Sequence, residues 1–349
     1  MEFFRLPVSK DIILTNKIDT DTRKLKILDK IQKTMATDIE AMNDLLRSAL
    51  HTDHAIVNSI VDNYLATKGK QIRPILVMLS AKMFGGVDKK VLYCAAALEM
   101  LHNATLIHDD VVDQTPLRRG KSTVNAVWDN HIAVLIGDLF VSRALETGVK
   151  AENLDVVKTI ADLGAELSLG EMDQMFNARG HVLRKEAYFD MIDRKTASLF
   201  MGCVRMGAQA KGVAESEFRP LENYARLLGE AFQIRDDIFD YYASDDIGKP
   251  SGHDLLEGKV TLPLLHALET APEEAAAPMR HLLSSDNELD TQQIARLQEF
   301  AKAYGGIEFA KNEMIRLRED GKKYIEVYPE SESRRDFEEI FDYIIERTF

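Results

Sequence analysis

Apolar residues recur every three or four positions along almost the whole chain, and this spacing constrains the fold more than any other feature. Two stripes illustrate it, one early and one late: Leu28, Ile31, Met35, Ile39, Met42 and Leu46, and then Leu227, Ala231, Ile234 and Ile238. Side chains at such spacing share one face of an α-helix. Alternating strand patterns are hard to find, and Gly85-Gly86 indicates a break between helices. The sequence therefore predicts an all-α protein.

The domain organisation follows from the same pattern. Length alone would allow two domains in 349 residues. No low-complexity tract, long linker or fixed-period repeat interrupts the helical pattern, which favours a single bundle of ten or more helices. We expect a charged N-terminal segment at 1–24, whose structure the pattern does not predict, followed by one catalytic domain at 25–349.

Composition excludes several classes of protein. The 44 Lys and Arg residues against 57 Asp and Glu give a net charge of −13, which argues against a nucleic-acid partner or an anionic membrane surface. Cys94 and Cys203 exclude a disulfide framework and fit a reducing compartment. No apolar run is long enough for a transmembrane helix, and the start lacks a signal-peptide pattern. We expect a cytoplasmic protein without stable membrane insertion.

Two acidic clusters share the pattern D-D-x-x-D: Asp109, Asp110 and Asp113 in LIHDDVVD, and Asp236, Asp237 and Asp240 in QIRDDIFD. Positions i and i+4 share a helix face, and His102 and Thr105 extend the first polar stripe while Gln233 extends the second. Like charges at this spacing destabilise a helix. A solvated acidic face would explain one cluster, but both have apolar flanks. We therefore interpret both as metal sites.

The ligand types indicate which metal. Oxygen ligands without His or Cys at matching spacing favour a hard cation, most naturally Mg²⁺, for which Mn²⁺ can substitute. Mg²⁺ usually takes one or two protein carboxylates and completes its shell with water and phosphate oxygens. The clusters therefore predict a phosphorylated ligand.

An acidic protein that binds phosphate needs well-placed cations. Candidates near the clusters are Lys70 and Arg73 in GKQIRP, Arg118 and Arg119 in LRRG, Lys195 beside Thr196, and Lys249 and Lys259 in the Gly-rich segment. Arg can bind phosphate through two parallel hydrogen bonds, and Lys acts as a compact charge. Each alone would be a surface cation, and their closeness to the clusters favours a role in binding. The segment GKPSG lacks the spacing of a phosphate-binding loop.

Glu99 and His102 match the E-x-x-H pattern of di-iron helical bundles. Such a site needs a second copy of the pattern and two further glutamates. The sequence contains no second copy. We therefore assign His102 to the phosphorylated ligand rather than to iron.

Six ordered motifs resemble those of the all-trans polyprenyl diphosphate synthases: GKQIRP at 69–74, EMLHNATLIHDDVVDQTPLRRG at 99–120, GD at 137–138, RKTASLF at 194–200, GEAFQIRDDIFDY at 229–241 and GKPSGHDLLEGKVTLPLL at 248–265. The resemblance implies an isoprenoid-synthase bundle around a central cavity, usually a homodimer. It implies Mg²⁺-dependent head-to-tail (1′-4) condensation of isopentenyl diphosphate with an allylic diphosphate. Ser122 departs from the family pattern, in which Pro or Ala is common.

The same resemblance implies residue roles. The catalytic set is Asp109, Asp110, Asp113, Lys195, Thr196, Gln233, Asp236 and Asp237. Metal binding is implied for Asp109, Asp113, Asp236, Asp237 and Asp240. Isopentenyl diphosphate is assigned to Lys70, Arg73, His102 and Arg119, and the allylic substrate to Arg118, Lys195, Thr196, Gln233 and Lys249, with Lys259 as a further substrate-binding residue.

Product length is implied by the residues before the first cluster. In this family bulky aromatics four or five positions before the first aspartate stop growth early, and here those positions hold Thr105 and Ala104. With Leu101 further along the tunnel, we expect a product longer than farnesyl diphosphate, a long-chain polyprenyl. Two alternatives stay open. Met172 or Phe176 on a neighbouring helix could close the tunnel and give geranylgeranyl diphosphate, or the chain could be a non-catalytic modulatory subunit.

Overall fold

The computed structural model describes residues 27–67, 69–242, 252–285 and 288–347. The charged segment predicted at 1–24 lies outside the described residues. Within the described ranges almost every element is a helix, so the prediction of an all-α bundle is confirmed. No helix in these ranges combines the length and the apolarity needed to cross a membrane.

After a helical stretch at 27–34, the first half of the chain forms α1 (Ala36–Leu50), α2 (Ala55–Leu65), α3 (Ile72–Met83), α4 (Lys89–Val112), β1 (Leu117–Arg118), β2 (Lys121–Ser122), α5 (Val124–Val127), α6 (Asn130–Val149) and α7 (Leu154–Arg179). The second half forms α8 (Lys185–Ile192), a π-helical turn (Asp193–Ala197), α9 (Ser198–Ala210), α10 (Glu215–Phe239), α11 (His253–Leu256), α12 (Leu262–Thr270), α13 (Glu273–Leu283), α14 (Thr291–Ala303), α15 (Gly306–Ile325) and α16 (Glu332–Glu346).

The two predicted apolar stripes lie in the core. The early stripe is divided by a turn at Met35, whose φ of −107° and ψ of 12° separate the 27–34 stretch from α1. Its members Ile31 and Met42 are almost fully buried, as is Ile234 of the late stripe. Because the buried positions follow the helical period, apolar burial fixes which face of each helix points inward.

The helix α4 lies at the centre of the fold and packs against α1, α3, α6 and α9. The helix α9 also packs against α10. The two helices that carry the acidic clusters therefore share a packing partner, and this arrangement brings the ends of α4 and α10 toward the same region.

A small antiparallel hairpin follows α4, although the sequence showed no strand pattern. Its strands pair Leu117 with Ser122 and Arg118 with Lys121. Arg119 has φ +52° and Gly120 has φ +74°, so both central residues of the turn adopt the left-handed conformation that a two-residue hairpin requires. Strands of two residues are too short to give an alternating pattern.

Candidate active site

Both acidic clusters occupy the C-terminal ends of long helices. The last turn and C-cap of α4 hold Asp109, Asp110 and Asp113, and those of α10 hold Asp236, Asp237 and Asp240. The C-terminal end of a helix carries unpaired carbonyl groups and a partial negative charge. A carboxylate there costs roughly 0.3–1 kcal/mol unless a cation or a donor compensates it. The surroundings of each cluster show how the chain provides that compensation.

Positively charged side chains lie beside two members of the first cluster. Arg118 donates from Nε to Oδ1 of Asp110 at 2.7 Å, and Asp110 is buried. Nζ of Lys259 lies 3.6 Å from Oδ1 of Asp113. Asp110 therefore belongs to a buried ion pair, whereas Asp113 lies beside a lysine from a distant part of the chain.

Asp109 combines burial with mixed charges. Burial raises the pKa of Asp109 to about 7; Lys195 opposes this rise, and Glu171 adds to it. Lys195 is itself held by an ion pair with Glu171 and donates to Oε1 of Gln174 at 3.1 Å. A buried carboxyl with such a pKa is stabilised in its charged form by an added cation. Asp109 is therefore suited to bind a metal ion.

Asp237 is held by neutral donors. Tyr188 donates from its hydroxyl to Oδ2 at 2.6 Å, and Gln233 donates from Nε2 to Oδ1 at 2.8 Å. Oγ1 of Thr196 donates to Oε1 of Gln233 at 2.7 Å, which extends the network to the predicted Thr196. Burial raises the pKa of Asp237 to about 7, and the two hydrogen bonds oppose the rise. The predicted Thr196, Gln233 and Asp237 thus form one connected network.

Asp240 joins the end of α10 to the short helix α11. The backbone N–H groups of His253 and Asp254 donate to its Oδ1 and Oδ2 at 2.9 and 3.2 Å. The carboxyl group of Asp254 lies close to Asp237 and Asp240, and burial raises its pKa well above the ordinary value. The second cluster therefore includes a fourth carboxyl group that the D-D-x-x-D pattern does not contain.

Asp236 forms an ion pair with Arg347, a residue near the C-terminus. The guanidinium of Arg347 is almost buried, with its central carbon 4.3 Å from the centroid of the Phe232 ring. The backbone carbonyl of Arg347 accepts a hydrogen bond of 2.8 Å from Nε of Arg235. Arg347, just after α16, is thus attached to the helix that carries the second cluster.

A π-helical turn at Asp193–Ala197 presents the predicted Lys195. Two glycines permit the close packing of this turn. A Cβ atom at Gly170 would lie 2.6 Å from the backbone nitrogen of Lys195, and one at Gly229 would lie 2.6 Å from the Cα atom of Ala197. Single π-helical turns are frequent at functional sites. The turn is therefore positioned by α7 on one side and by α10 on the other.

A cavity of about 270 Å³ connects the second cluster with two of the predicted lysines. Its walls include Gln233, Asp237, Lys195 and Lys259. Because Lys259 also lies 3.6 Å from a carboxylate oxygen of Asp113, it connects this cavity with the first cluster. The structure thus brings parts of both clusters and both lysines to one site.

Arg73 and His102 form a buried pair, with Nη1 of Arg73 3.2 Å from Nε2 of His102. A guanidinium can only donate, so Nε2 accepts and the imidazole is neutral. Burial, and then the charge of Arg73, lowers the pKa of His102. The rings of Phe200 and Phe232 lie 5.3 and 5.6 Å from the guanidinium carbon. Nε of Arg73 has no hydrogen-bond partner among the described residues, and a bound anion could accept from it.

The other residues assigned to isopentenyl diphosphate lie near the loop before α3. The guanidinium of Arg119 lies against the backbone of Gly69, where an added Cβ atom would be 2.7 Å from Nη1. Nζ of Lys70 lies 5.5 Å from the centroid of the Tyr343 ring. Lys249 lies outside the described residues.

The residues assigned to chain length lie on α4. Leu101 and Ala104 are buried, and Thr105 is half-buried with its hydroxyl donating to a backbone carbonyl at 2.8 Å. Met172 and Phe176, the large residues considered as a possible end of the tunnel, are 43% and 64% exposed on α7. They lie on an outer face of the single chain.

Several residues of this site were not predicted from the sequence. They are Glu171, Gln174, Tyr188, Asp254 and Arg347. Glu171 and Gln174 are three residues apart on a predicted helix, so their common face could have been noticed. Tyr188 and Arg347 reach the second cluster across 49 and 111 residues of sequence, and only tertiary packing creates these contacts.

Comparison with known proteins agrees with the sequence motifs. A family model described as polyprenyl synthetase matches residues 54–300. An octaprenyl diphosphate synthase of Haemophilus influenzae is 33% identical over 315 residues, which cover 89% of this chain and 94% of that protein. A short chain isoprenyl diphosphate synthase of Methanothermobacter thermautotrophicus is 33% identical over 326 residues, which cover 88% of this chain and 99% of that protein.

A solved structure has the same fold. A polyprenyl synthase from Caulobacter crescentus, complexed with calcium and isoprenyl diphosphate, is similar with a TM-score of 0.85 at 30% identity. The similarity covers 92% of this chain and 98% of that chain.

Proposed function

Since this chain belongs to the polyprenyl synthetase family and is a trans-prenyltransferase, we propose that it carries out an Mg²⁺-dependent condensation of isopentenyl diphosphate with an allylic diphosphate. The observation that supports this proposal best is a cavity lined by Asp237 of the second cluster, Lys195 and Lys259, with Lys259 also 3.6 Å from Asp113 of the first cluster. A diphosphate held there can be contacted by lysines and by metal ions at the same time.

The residues present fit Mg²⁺. Within the described parts of the chain, no group of three or more His, Cys, Asp or Glu side chains is arranged to hold a metal ion by itself. Mg²⁺ commonly uses only one or two carboxylates and takes other oxygens from phosphate and water. Asp109 and Asp113 of the first cluster and Asp236, Asp237 and Asp240 of the second would hold it. That a similar polyprenyl synthase, from Caulobacter crescentus, is complexed with calcium and isoprenyl diphosphate supports the use of a divalent cation.

The allylic half-reaction requires stabilisation of a leaving group. Cleavage of the C–O bond leaves an allylic cation and a diphosphate with growing negative charge. In this proposal Lys195 and Lys259 donate to diphosphate oxygens, and Mg²⁺ held by the aspartates would supply further positive charge for the leaving group. In this proposal the oxygen atoms of Thr196 and Gln233 face the cationic carbon. Their weak dipoles stabilise the cation without a water molecule that would capture it.

Isopentenyl diphosphate binds at the buried pair of Arg73 and His102 in this proposal. Arg73 supplies a guanidinium with a free Nε, and neutral His102 keeps its orientation through Nε2. Arg119 and Lys70 provide further positive charge. Losing one charged hydrogen bond costs about 1.5–3 kcal/mol, which is roughly tenfold to a hundredfold in binding. Arg73→Ala should therefore raise KM mainly for isopentenyl diphosphate, and Lys195→Ala mainly for the allylic substrate.

The product is proposed to be a long-chain polyprenyl diphosphate. Ala104 and Thr105, five and four positions before the first aspartate, are small residues, and an octaprenyl diphosphate synthase is among the similar proteins. A shorter product, geranylgeranyl diphosphate, is the second candidate, because a short chain isoprenyl diphosphate synthase is equally similar. Chromatography of the products separates the two. Thr105→Phe should shorten the product, and a product unchanged by this substitution would contradict the open tunnel.

We propose that two copies of the chain associate through α6 and α7. These two helices pack against each other. Their exposed apolar side chains are Val134, Leu135, Leu169, Met172 and Phe176. An exposed apolar face of this kind usually marks an interaction site. Leu135→Glu with Phe176→Glu should produce a monomer in sedimentation experiments. Val327→Glu, at an exposed apolar residue on another surface, is the control.

The direct test uses the purified chain alone. It receives isopentenyl diphosphate, an allylic diphosphate and Mg²⁺, and prenyl products are measured with and without EDTA. Turnover that disappears with EDTA and returns with Mg²⁺ or Mn²⁺ supports the proposal. Full activity in EDTA would contradict the metal mechanism, and no activity without a second protein would indicate a modulatory subunit. Two free, buried cysteines support a cytoplasmic location in this proposal.

A further inference from the structure

The hydroxyl of Tyr188 forms a buried contact with the second cluster that no sequence motif indicates. It donates to Oδ2 of Asp237 at 2.6 Å. Tyr188 and Asp237 are 3% and 4% exposed, so water does not compete freely for this hydrogen bond. Tyr188 belongs to α8 and Asp237 to α10, and the bond therefore connects two helices.

The other oxygen of Asp237 has a donor of a different kind. Gln233, which donates to Oδ1 at 2.8 Å, lies one turn earlier on the same helix. Its own Oε1 accepts from Thr196 at 2.7 Å, so Gln233 connects Asp237 to the residue after Lys195 through two hydrogen bonds. Tyr188 lies on α8, which leads directly into the π-helical turn that carries Lys195. Tyr188 therefore connects Asp237 directly to the helix that precedes this turn, whereas Gln233 connects it through Thr196.

We propose that Tyr188 is a positioning residue for prenyl transfer. It holds the carboxylate of Asp237 at a fixed position relative to Lys195, so that a metal–diphosphate complex binds without rearrangement of the site. The inference rests on the proposed metal role of the second cluster. Groups that hydrogen-bond to metal-binding carboxylates orient them, and removal of such groups typically weakens metal affinity tenfold or more. Tyr188 does not touch the substrate in this proposal.

The competing explanation is that Tyr188 only fills the core. Its ring packs edge-on against Phe189 at 5.4 Å, and a buried tyrosine hydroxyl needs some partner in any case. Tyr188→Phe keeps the ring and removes the hydroxyl. The chain offers a matched control in Tyr224, which is also buried and donates to the backbone carbonyl of Phe337 at 2.9 Å, away from the clusters.

The test measures binding of Mg²⁺ with inorganic pyrophosphate by calorimetry, together with the Mg²⁺ concentration that gives half-maximal turnover. We expect Tyr188→Phe to weaken binding and to raise this concentration by about tenfold. Tyr224→Phe should lower the melting temperature without changing either quantity. Tyr188→Phe with wild-type binding and metal dependence would overturn the proposal.

The Asp237→Asn variant separates this inference from the proposed function. If Asp237→Asn weakens pyrophosphate binding and Tyr188→Phe does not, the positioning role alone is wrong. If Asp237→Asn also binds normally, the proposed metal role of Asp237, on which the inference rests, is wrong.

The double variant Tyr188→Phe/Asp237→Asn removes the buried charge, so it can be examined even if Tyr188→Phe does not fold. It should bind pyrophosphate as Asp237→Asn does. Substantially weaker binding than Asp237→Asn would mean that Tyr188 does not act through Asp237.

Discussion

The two acidic clusters share one five-residue pattern, but their surroundings differ. In the first cluster, Asp110 is paired with the guanidinium of Arg118, and Asp113 lies beside the ammonium of Lys259. In the second cluster, Asp237 accepts from an amide and a phenol, and Asp240 accepts from two backbone N–H groups. The sequence pattern therefore fixes which carboxylates are available, and the tertiary contacts determine how each is held.

This difference separates two ways of preparing a metal site. A lysine or arginine beside a carboxylate compensates its charge, and a metal ion can compete with it for the same oxygen. A backbone N–H or a buried tyrosine fixes the position of the carboxylate but adds no full positive charge. We infer that the first cluster is prepared mainly by charge and the second mainly by geometry. Asp236 is the exception, because it pairs with Arg347.

The largest expected effect tests whether both clusters are needed. Asp109→Ala and Asp236→Ala should each lower kcat by about 10²- to 10³-fold, as removal of one preorganised electrostatic group does. Steady-state turnover at saturating Mg²⁺ measures this. Asp29→Ala, at an exposed aspartate of the 27–34 stretch, is the control. Full activity in either cluster variant would show that this cluster is dispensable and would contradict the conclusion that both clusters form metal sites.

The next effect concerns the buried ion pair of the first cluster. Arg118→Ala leaves Asp110 without its guanidinium. Breaking a buried pair costs about 3–5 kcal/mol, but the Arg118 side chain is 31% exposed, so we expect about 2–3 kcal/mol. Urea unfolding measures the loss, and Arg118→Ala/Asp110→Asn should recover part of it. Arg219→Ala, which removes an exposed pair with Glu215, should cost less than about 1 kcal/mol. Equal losses at Arg118 and Arg219 would contradict the buried-pair interpretation.

The third effect tests whether the clusters bind protons alike. Burial raises the pKa of both Asp109 and Asp237 from 3.8 to about 7. Between these values the folded chain keeps protons that the unfolded chain has lost, so the free energy of unfolding falls as pH rises, by about 2–3 kcal/mol for each group between about pH 5 and about pH 8. Urea unfolding in EDTA at about pH 5 and about pH 8 measures the fall.

Asp109→Asn and Asp237→Asn should each reduce this fall, and Asp29→Asn should leave it unchanged. If only one cluster variant reduces it, the clusters differ in proton binding as well as in their partners.

The features that could be predicted from the sequence depend on local contacts, and those that could not depend on contacts between distant parts of the chain. The helices α4 and α10 and their polar stripes could be predicted, because helical periodicity and i, i+4 spacing are local properties. The hairpin after α4 could not, because its two-residue strands show no alternation. The π-helical turn at Lys195 depends on close packing against Gly170 and Gly229 from two other helices.

The D-D-x-x-D pattern also could not predict the role of each individual carboxylate. Nothing in D-D-x-x-D distinguishes Asp110, which is paired with Arg118, from Asp237, which is held by Tyr188. These partners approach from hairpins and helices elsewhere in the fold. A pattern of spacing can therefore identify a metal-binding helix end without indicating which oxygens remain available to the metal.

The smallest expected effect examines Asp240, whose oxygens accept from the backbone of His253 and Asp254. Asp240→Ala removes both acceptors at the start of α11, and loss of such a capping contact costs about 1 kcal/mol of stability. Asp240→Asn keeps one oxygen acceptor, so it should lose about half as much. Because α11 precedes Lys259, the alanine variant should also raise KM for the allylic substrate more than the asparagine variant does. If both variants lose the same activity while only the alanine variant loses stability, the charge of Asp240 matters more than its backbone contacts, and geometry alone does not prepare the second cluster.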